Sequence, residues 1–113
     1  MNIHTVEAPD RYRTVRLNIS DDDSNVIYCN SIYDIQSSRY LLVYLDGVGV
    51  DRGGWHDYEN AVYHVAVFNS ALQIAQDIVV PDLEITHSLY ALPCPYMEWD
   101  GAVLTLNGIS VHL

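Results

Sequence analysis

The C-terminal run Val103-Leu104-Thr105-Leu106-Asn107-Gly108-Ile109-Ser110-Val111-His112-Leu113 constrains the fold more than any other part of the chain. Two alternating blocks flank Asn107-Gly108, and an Asn-Gly pair accepts the positive φ that a two-residue hairpin turn needs at both central positions. Such a turn sets the register. It predicts Leu106 opposite Ile109 and Leu104 opposite Val111 on one face, with Thr105 opposite Ser110 and Val103 opposite His112 on the other. Asp100-Gly101 offers a second turn of this kind, joining a strand through Tyr96 and Glu98 to the hairpin as a three-stranded meander.

Period two recurs upstream, in blocks separated by Asp, Asn, Gly and Pro. Val15, Leu17 and Ile19 alternate within Thr14 to Ile19, Asp21-Asp22-Asp23-Ser24-Asn25 reads as a turn, and Val26 to Ile35 reads as the next strand. Tyr40, Leu42 and Tyr44 oppose Leu41, Val43 and Leu45, so Arg39 to Leu45 is apolar on both faces and reads as a central strand. Asp46-Gly47 is expected to turn it tightly into Val48 to Val50. Ala61 to Phe68 is again apolar on both faces.

The segment 71–79 is ambiguous. Ser70-Ala71-Leu72-Gln73 resembles a helix capping box, whereas Leu72, Ile74, Ile78 and Val80 alternate as in a strand; the period of the flanking blocks favours strand. Pro81-Asp82 ends it. Leu83, Ile85, His87, Leu89 and Ala91 then line one face of a further strand, before the rigid connection Leu92-Pro93-Cys94-Pro95. The expectation is an all-β chain, a single acidic β domain over residues 1–113. It is an antiparallel β-sandwich or small barrel of about eight short strands, with at most one short helix near 71–79.

Apolar residues make up 50 % of the chain although its formal charge is −10, so the acidity is a skin on a packed core and not a signature of disorder. Lysine is absent, and the five cations are Arg11, Arg13, Arg16, Arg39 and Arg52. Residues 53–113 hold seven of the fifteen acids and no Lys or Arg. A surface this poor in cations projects a negative potential that repels nucleic acid and anionic membrane and attracts basic surfaces. Asp outnumbers Glu eleven to four, and a short carboxylate at a turn or strand end keeps a fixed position. No apolar run reaches the ~20 residues that span a bilayer as a helix, and Met1 to Glu7 shows no basic stretch followed by an apolar one. The expected location is therefore cytoplasmic, with Cys29 and Cys94 reduced rather than bridged.

Asp51, Trp55, His56, Asp57, Tyr58 and Glu59 crowd the longest irregular stretch. The spacing does not match a calcium loop, and the plain reading is a solvated loop. Its mixture of rings and acids is also that of an interface, and Glu98, Trp99 and Asp100 repeat the mixture near the C-terminus. These nine residues are the candidate partner-binding set. His56 and His64 would share a strand face, but HxH, HxxxH and CxxC spacings are absent, so no metal is expected. His87 reads as a core histidine.

No G-x-S-x-G elbow or phosphate loop occurs, and absent lysine removes Schiff-base chemistry. The chain reads as a non-enzymatic protein without cofactor. Its expected partner is a basic protein, either a nuclease-type toxin, which would make this an immunity protein, or a defence effector whose cationic groove a phage-type inhibitor fills by mimicking nucleic acid. A carbohydrate-binding module with exposed rings is the alternative from another class.

Overall fold

The computed structural model describes residues 3–6 and 17–19 as backbone, and 26–47, 58, 60–85 and 94–113 with their side chains. Within these residues the chain is all-β, without a helix. A short antiparallel ladder joins β1 (Ile3–Val6) to β2 (Leu17–Ile19), with an irregularity between Ile3 and Thr5. Four strands, β3 (Val26–Asp34), β4 (Arg39–Asp46), β5 (Val62–Phe68) and β6 (Ile74–Val80), make an antiparallel sheet in sequence order. Three more, β7 (Met97–Trp99), β8 (Val103–Leu106) and β9 (Ile109–His112), make the C-terminal meander.

The Asn-Gly turn forms as its chemistry requires. Asn107 and Gly108 have φ of 47° and 84°, and all four expected pairs from Val103 with His112 to Leu106 with Ile109 are present. The other turn of the meander lies one residue further along than expected. Trp99 pairs with Leu104 and the Asp100 amide donates to the Val103 carbonyl at 3.5 Å, so Gly101-Ala102 occupies the centre. Gly101 takes a φ of 99° at the first central position, while the Asp100 carboxylate accepts the Ala102 and Val103 amides at 2.8 and 2.7 Å. Asp100 is thus the brace of the turn and not its corner.

No helix forms near 71–79. The Asn69 carboxamide oxygen accepts the Ala71 and Gln73 amides, both at 3.0 Å, and Leu72 adopts a φ of 62°. These bonds close a tight hairpin loop before a helical turn can propagate, and the β-branched Ile78, Val79 and Val80 then continue as strand. Of the expected Asp46-Gly47 hairpin, Val48 to Val50 lie outside the described residues; Leu45 and Asp46 themselves pair with Ile27 and Val26 on one edge and with Tyr63 and Val62 on the other. Residues 81–85, including Leu83 at the head of a further expected strand, form a turn and an irregular stretch; the rest of that strand, the Thr14 to Arg16 end of its predecessor and the Asp21 to Asn25 turn lie outside the described residues.

The apolar residues on both faces of β4 and β5 are used on both faces. Leu41, Val43, Leu45, Tyr63, Val65 and Val67 share one core cluster with Leu104, Leu106 and Val111 of the meander, with Val80 and Leu83 at its margin. Leu42, Tyr44, Ala66 and Phe68 form a second cluster on the opposite face, flanked by Val26, Tyr28 and Tyr40. Tyr33 and Tyr40, partners in the β3–β4 ladder, stack with ring centroids 4.6 Å apart.

Leu104 has no exposed surface and links the two sheets. Leu104→Ala is expected to lower the unfolding free energy by about 3 kcal/mol in urea titrations, because a large side chain is lost where the surrounding strands cannot collapse. Ser110→Ala, on the exposed face of the same hairpin, should change it by less than about 0.5 kcal/mol.

Candidate functional site

Of the nine residues expected to bind a partner, Asp51, Trp55, His56, Asp57 and Glu59 lie outside the described residues, as does His87. The stem from which that loop springs is described. Asp46 pairs with Val62, and a Cβ on Gly47 would stand 2.9 Å from the Asn60 carbonyl oxygen, so both ends of the stretch meet at one end of the four-stranded sheet. Tyr58 is half-buried against the core there, and its amide carbonyl accepts the Ala61 amide at 3.1 Å. Burial pushes its phenol pKa up, with the nearby Cys29 and Cys94 thiols adding to the effect.

Glu98, Trp99 and Asp100 stand elsewhere. Trp99 donates its indole N–H to Asp34 Oδ2 at 3.1 Å and lies under the Arg39 guanidinium, 5.7 Å from the ring centroid. Asp34 and Arg39 are the end of β3 and the start of β4, whereas Gly47 follows the end of β4, so the Trp99 contacts and the described stem of the loop sit about 24 Å apart along that strand. Trp99 therefore serves first as a bolt between the sheets. Burial of the Asp34 carboxyl would raise its pKa, but hydrogen bonds from Trp99, from the Ser37 hydroxyl and from the Ser37 and Gln36 amides outweigh it and hold the pKa below 3.8. Glu98 is exposed on β7.

A second constellation, outside the expected partner-binding set, lies at the Asp46 end of the four-stranded sheet, on the face opposite the meander. His64 is directly opposite Tyr44 in the β4–β5 ladder, and their rings stack at 4.8 Å. Asp77 on β6 and Asp46 on β4 are its two diagonal neighbours. The Tyr44 hydroxyl donates to the Asp77 carboxylate, at 2.8 and 2.7 Å from its two oxygens, and His64 Nδ1 is 3.1 Å from Asp77 Oδ1. His64 Nε2 faces Asp46 Oδ2 at 3.8 Å. The imidazole is 14 % exposed, while the carboxylates of Asp46 and Asp77 are 46 % and 41 % exposed, so the acids stand proud of the rings between them. Burial, and then the Asp77 carboxylate, push the Tyr44 phenol pKa upward and keep the hydroxyl a donor.

This arrangement binds better than it reacts. A His–Asp pair activates a nucleophile when the second ring nitrogen meets a hydroxyl or thiol, and here that nitrogen meets a carboxylate. Among the described residues no three His, Cys, Asp or Glu side chains come together as metal ligands. Grooves of about 240 and 300 Å³ lie where Pro81 to Glu84 approaches β9, at or below the lower limit of small-molecule pockets. Their linings hold Asp82 and Glu84 but no described cation. No described helix is long and apolar enough to cross a membrane. Comparison with protein-family models, with curated proteins and with solved structures finds no match.

The sequence signal for the His64 site was Asp77, a lone charge in the middle of the apolar run Ile74 to Val80. Only the register, Ala66 opposite Asp77, brings it to His64. At the Trp99 bolt, Trp99→Phe removes the indole donor. The Asp34 carboxyl pKa, followed by NMR titration, is expected to rise toward 3.8. A depressed carboxyl pKa stabilises the fold above its unfolded value and loses that stabilisation as pH falls. The stability deficit of the variant should therefore be largest near neutrality and narrow in acid below about 3.8.

Proposed function

We propose that this protein is a small acidic β-sandwich that captures and neutralises a basic partner protein, in the manner of an immunity protein that blocks a nuclease-type toxin. The observation that carries this reading is the charge balance of the folded surface. The described residues include seven carboxylates (Asp34, Asp46, Asp77, Asp82, Glu84, Glu98 and Asp100) and one guanidinium, Arg39. Arg39 is held over Trp99 and donates through Nε to the Ser37 hydroxyl at 2.9 Å. The ion pairs found among the described residues join Asp46 and Asp77 to His64 alone.

Carboxylates that their own surface does not neutralise supply long-range attraction to a cationic cleft, and a cleft that holds RNA or DNA must be cationic. Asp46 and Asp77 give that attraction a fixed geometry. They flank the stacked Tyr44–His64 pair and offer a guanidinium two exposed carboxylates together. The described stem of the loop that carries Asp51, Trp55, His56, Asp57, Tyr58 and Glu59 lies at the same end of the sheet, while Glu98 adds charge at the far end. The role is binding without catalysis. The nucleic-acid-mimic role draws on the same charge but is disfavoured by the 50 % apolar content. A glycan platform loses support because the Trp99 indole N–H and ring are both engaged.

The test is calorimetric titration against a panel of basic nucleases at low and high salt, with nuclease activity read in parallel. A stoichiometric complex that abolishes nucleolysis and weakens at least about 10-fold across the salt range is expected. Asp46→Asn with Asp77→Asn should slow association by about 10-fold at low salt. Failure of every basic protein to bind, or a complex indifferent to salt, would sink the reading.

A further inference from the structure

Three contacts join β3 to the 94–99 segment, and all three share one sequence offset. Asn30 Nδ2 donates to the Pro95 carbonyl at 3.3 Å and Trp99 Nε1 donates to Asp34 Oδ2 at 3.1 Å, each across 65 residues. Cys29 and Cys94 make the third, being the residues directly before Asn30 and Pro95, with the two thiols hydrogen-bonded to each other. A constant offset means that the contacts advance along both segments in the same direction, which brings residue 29 toward residue 94 as residue 30 meets residue 95.

The local backbone favours the meeting of the sulfurs. The β3–β4 ladder shifts register between Tyr28 and Asn30, leaving Cys29 as the extra residue of a bulge, without a Cα partner on β4. Its Sγ lies 4.0 Å from the Ile27 carbonyl oxygen, and its side chain packs on the main core cluster. Cys94 is held by the buried Pro95, whose carbonyl is fixed by Asn30, and by the Tyr96 amide, which donates to Asn107 Oδ1 at 2.8 Å. Neither cysteine is in a disulfide, and both are half-buried.

We propose that Cys29 and Cys94 are a disulfide-forming pair that closes the seam between the four-stranded and three-stranded sheets, reached from the dithiol by exchange with a small disulfide such as oxidised glutathione. The Cys94 thiolate attacks one sulfur of the reagent, breaking its S–S bond and releasing a first glutathione thiolate. Cys29 then gives its proton to solvent and attacks Cys94 Sγ, forming the protein S–S bond and releasing the second. The two cysteines lose two electrons and two protons, and the two glutathiones take them up. Burial, and then the neighbouring Cys94, raise the Cys29 pKa far above the ordinary thiol range, so base promotes the second step. Oxidation would tie the segment that carries Trp99 to β3 covalently, and reduction would leave it to packing and hydrogen bonds.

The experiment equilibrates the intact protein in glutathione buffers, folded and in denaturing urea, followed by acid quench, alkylation and mass spectrometry with peptide mapping. The folded monomer is expected to form the Cys29–Cys94 bond with an equilibrium constant up to about 1,000-fold above that in urea, the ratio that closing a loop of this length allows. Closure should accelerate as pH rises, and the melting temperature of the oxidised form should exceed that of the reduced form. A folded-state constant no larger than the urea value would overturn the proposal, as would glutathione adducts or intermolecular dimers in place of the internal bond. Cys29→Ser should stop at the Cys94 adduct; the comparison of folded with urea-unfolded wild-type protein decides the matter even if that variant does not fold.

Discussion

Burial of β4 and β5 on both faces is the constraint on which the rest of the structure depends. One face of the pair, from Leu41 to Leu45 and Tyr63 to Val67, shares its core with the meander, and the other gathers Leu42, Tyr44, Ala66 and Phe68. A strand filled on both sides has no room for an uncompensated charge. The ionisable groups of these two strands obey this. Arg39 and Asp46 are the terminal residues of β4, and His64, inside β5, comes with two carboxylates. Charge is thereby forced outward to strand ends, to the edge strand β6 and to turns, so the acidic skin follows from the apolar centre.

Where a feature is local, the sequence discloses it. The Asn107-Gly108 hairpin is fixed by two residues whose backbone preferences leave one register, and β4 was readable as a central strand because Tyr40 to Leu45 is apolar at every position. The surroundings of Asp46-Gly47 show what is not local. The dipeptide is equally turn-prone, and Gly47 does take a positive φ of 89°, but β3 and β5 already occupy both edges of β4. Occupancy of an edge is a property of the assembled sheet. The same distinction explains the sites: Asp100 is visible as an acid beside a turn and braces that turn locally, whereas the engagement of Trp99 with Asp34 appears only when the seam forms. The pairing of His64 with Asp77 spans 13 residues and needs the β5–β6 register.

The excess of Asp over Glu has a structural share as well as a functional one. Asp34 accepts the Gln36 and Ser37 amides at the β3–β4 turn, and Asp100 accepts those of Ala102 and Val103 at the β7–β8 turn. Asn69 and Asn107 do comparable work with uncharged carboxamides. Since Asn satisfies a turn as well as Asp does, turn chemistry alone does not call for the charge. Asp34 and Asp100 are explained as turn braces. Among the described residues no turn amide donates to Asp46, Asp77, Asp82, Glu84 or Glu98, and four of these stand outside the Trp99 seam.

This division bears on how an acidic surface could be specific as well as attractive. Charge on mobile side chains steers a cation toward the protein but must lose conformational freedom when the complex forms. Asp77 has already lost that freedom, because Tyr44 and His64 hold both its oxygens in place. The hydrogen bonds that orient it leave its charge in place, and its side chain remains 41 % exposed. A basic partner meeting Asp77 and Asp46 therefore meets carboxylates whose ordering the fold has largely completed. On the proposed reading, attraction would come from the number of acids, and discrimination from the few that the β4–β5–β6 register holds still.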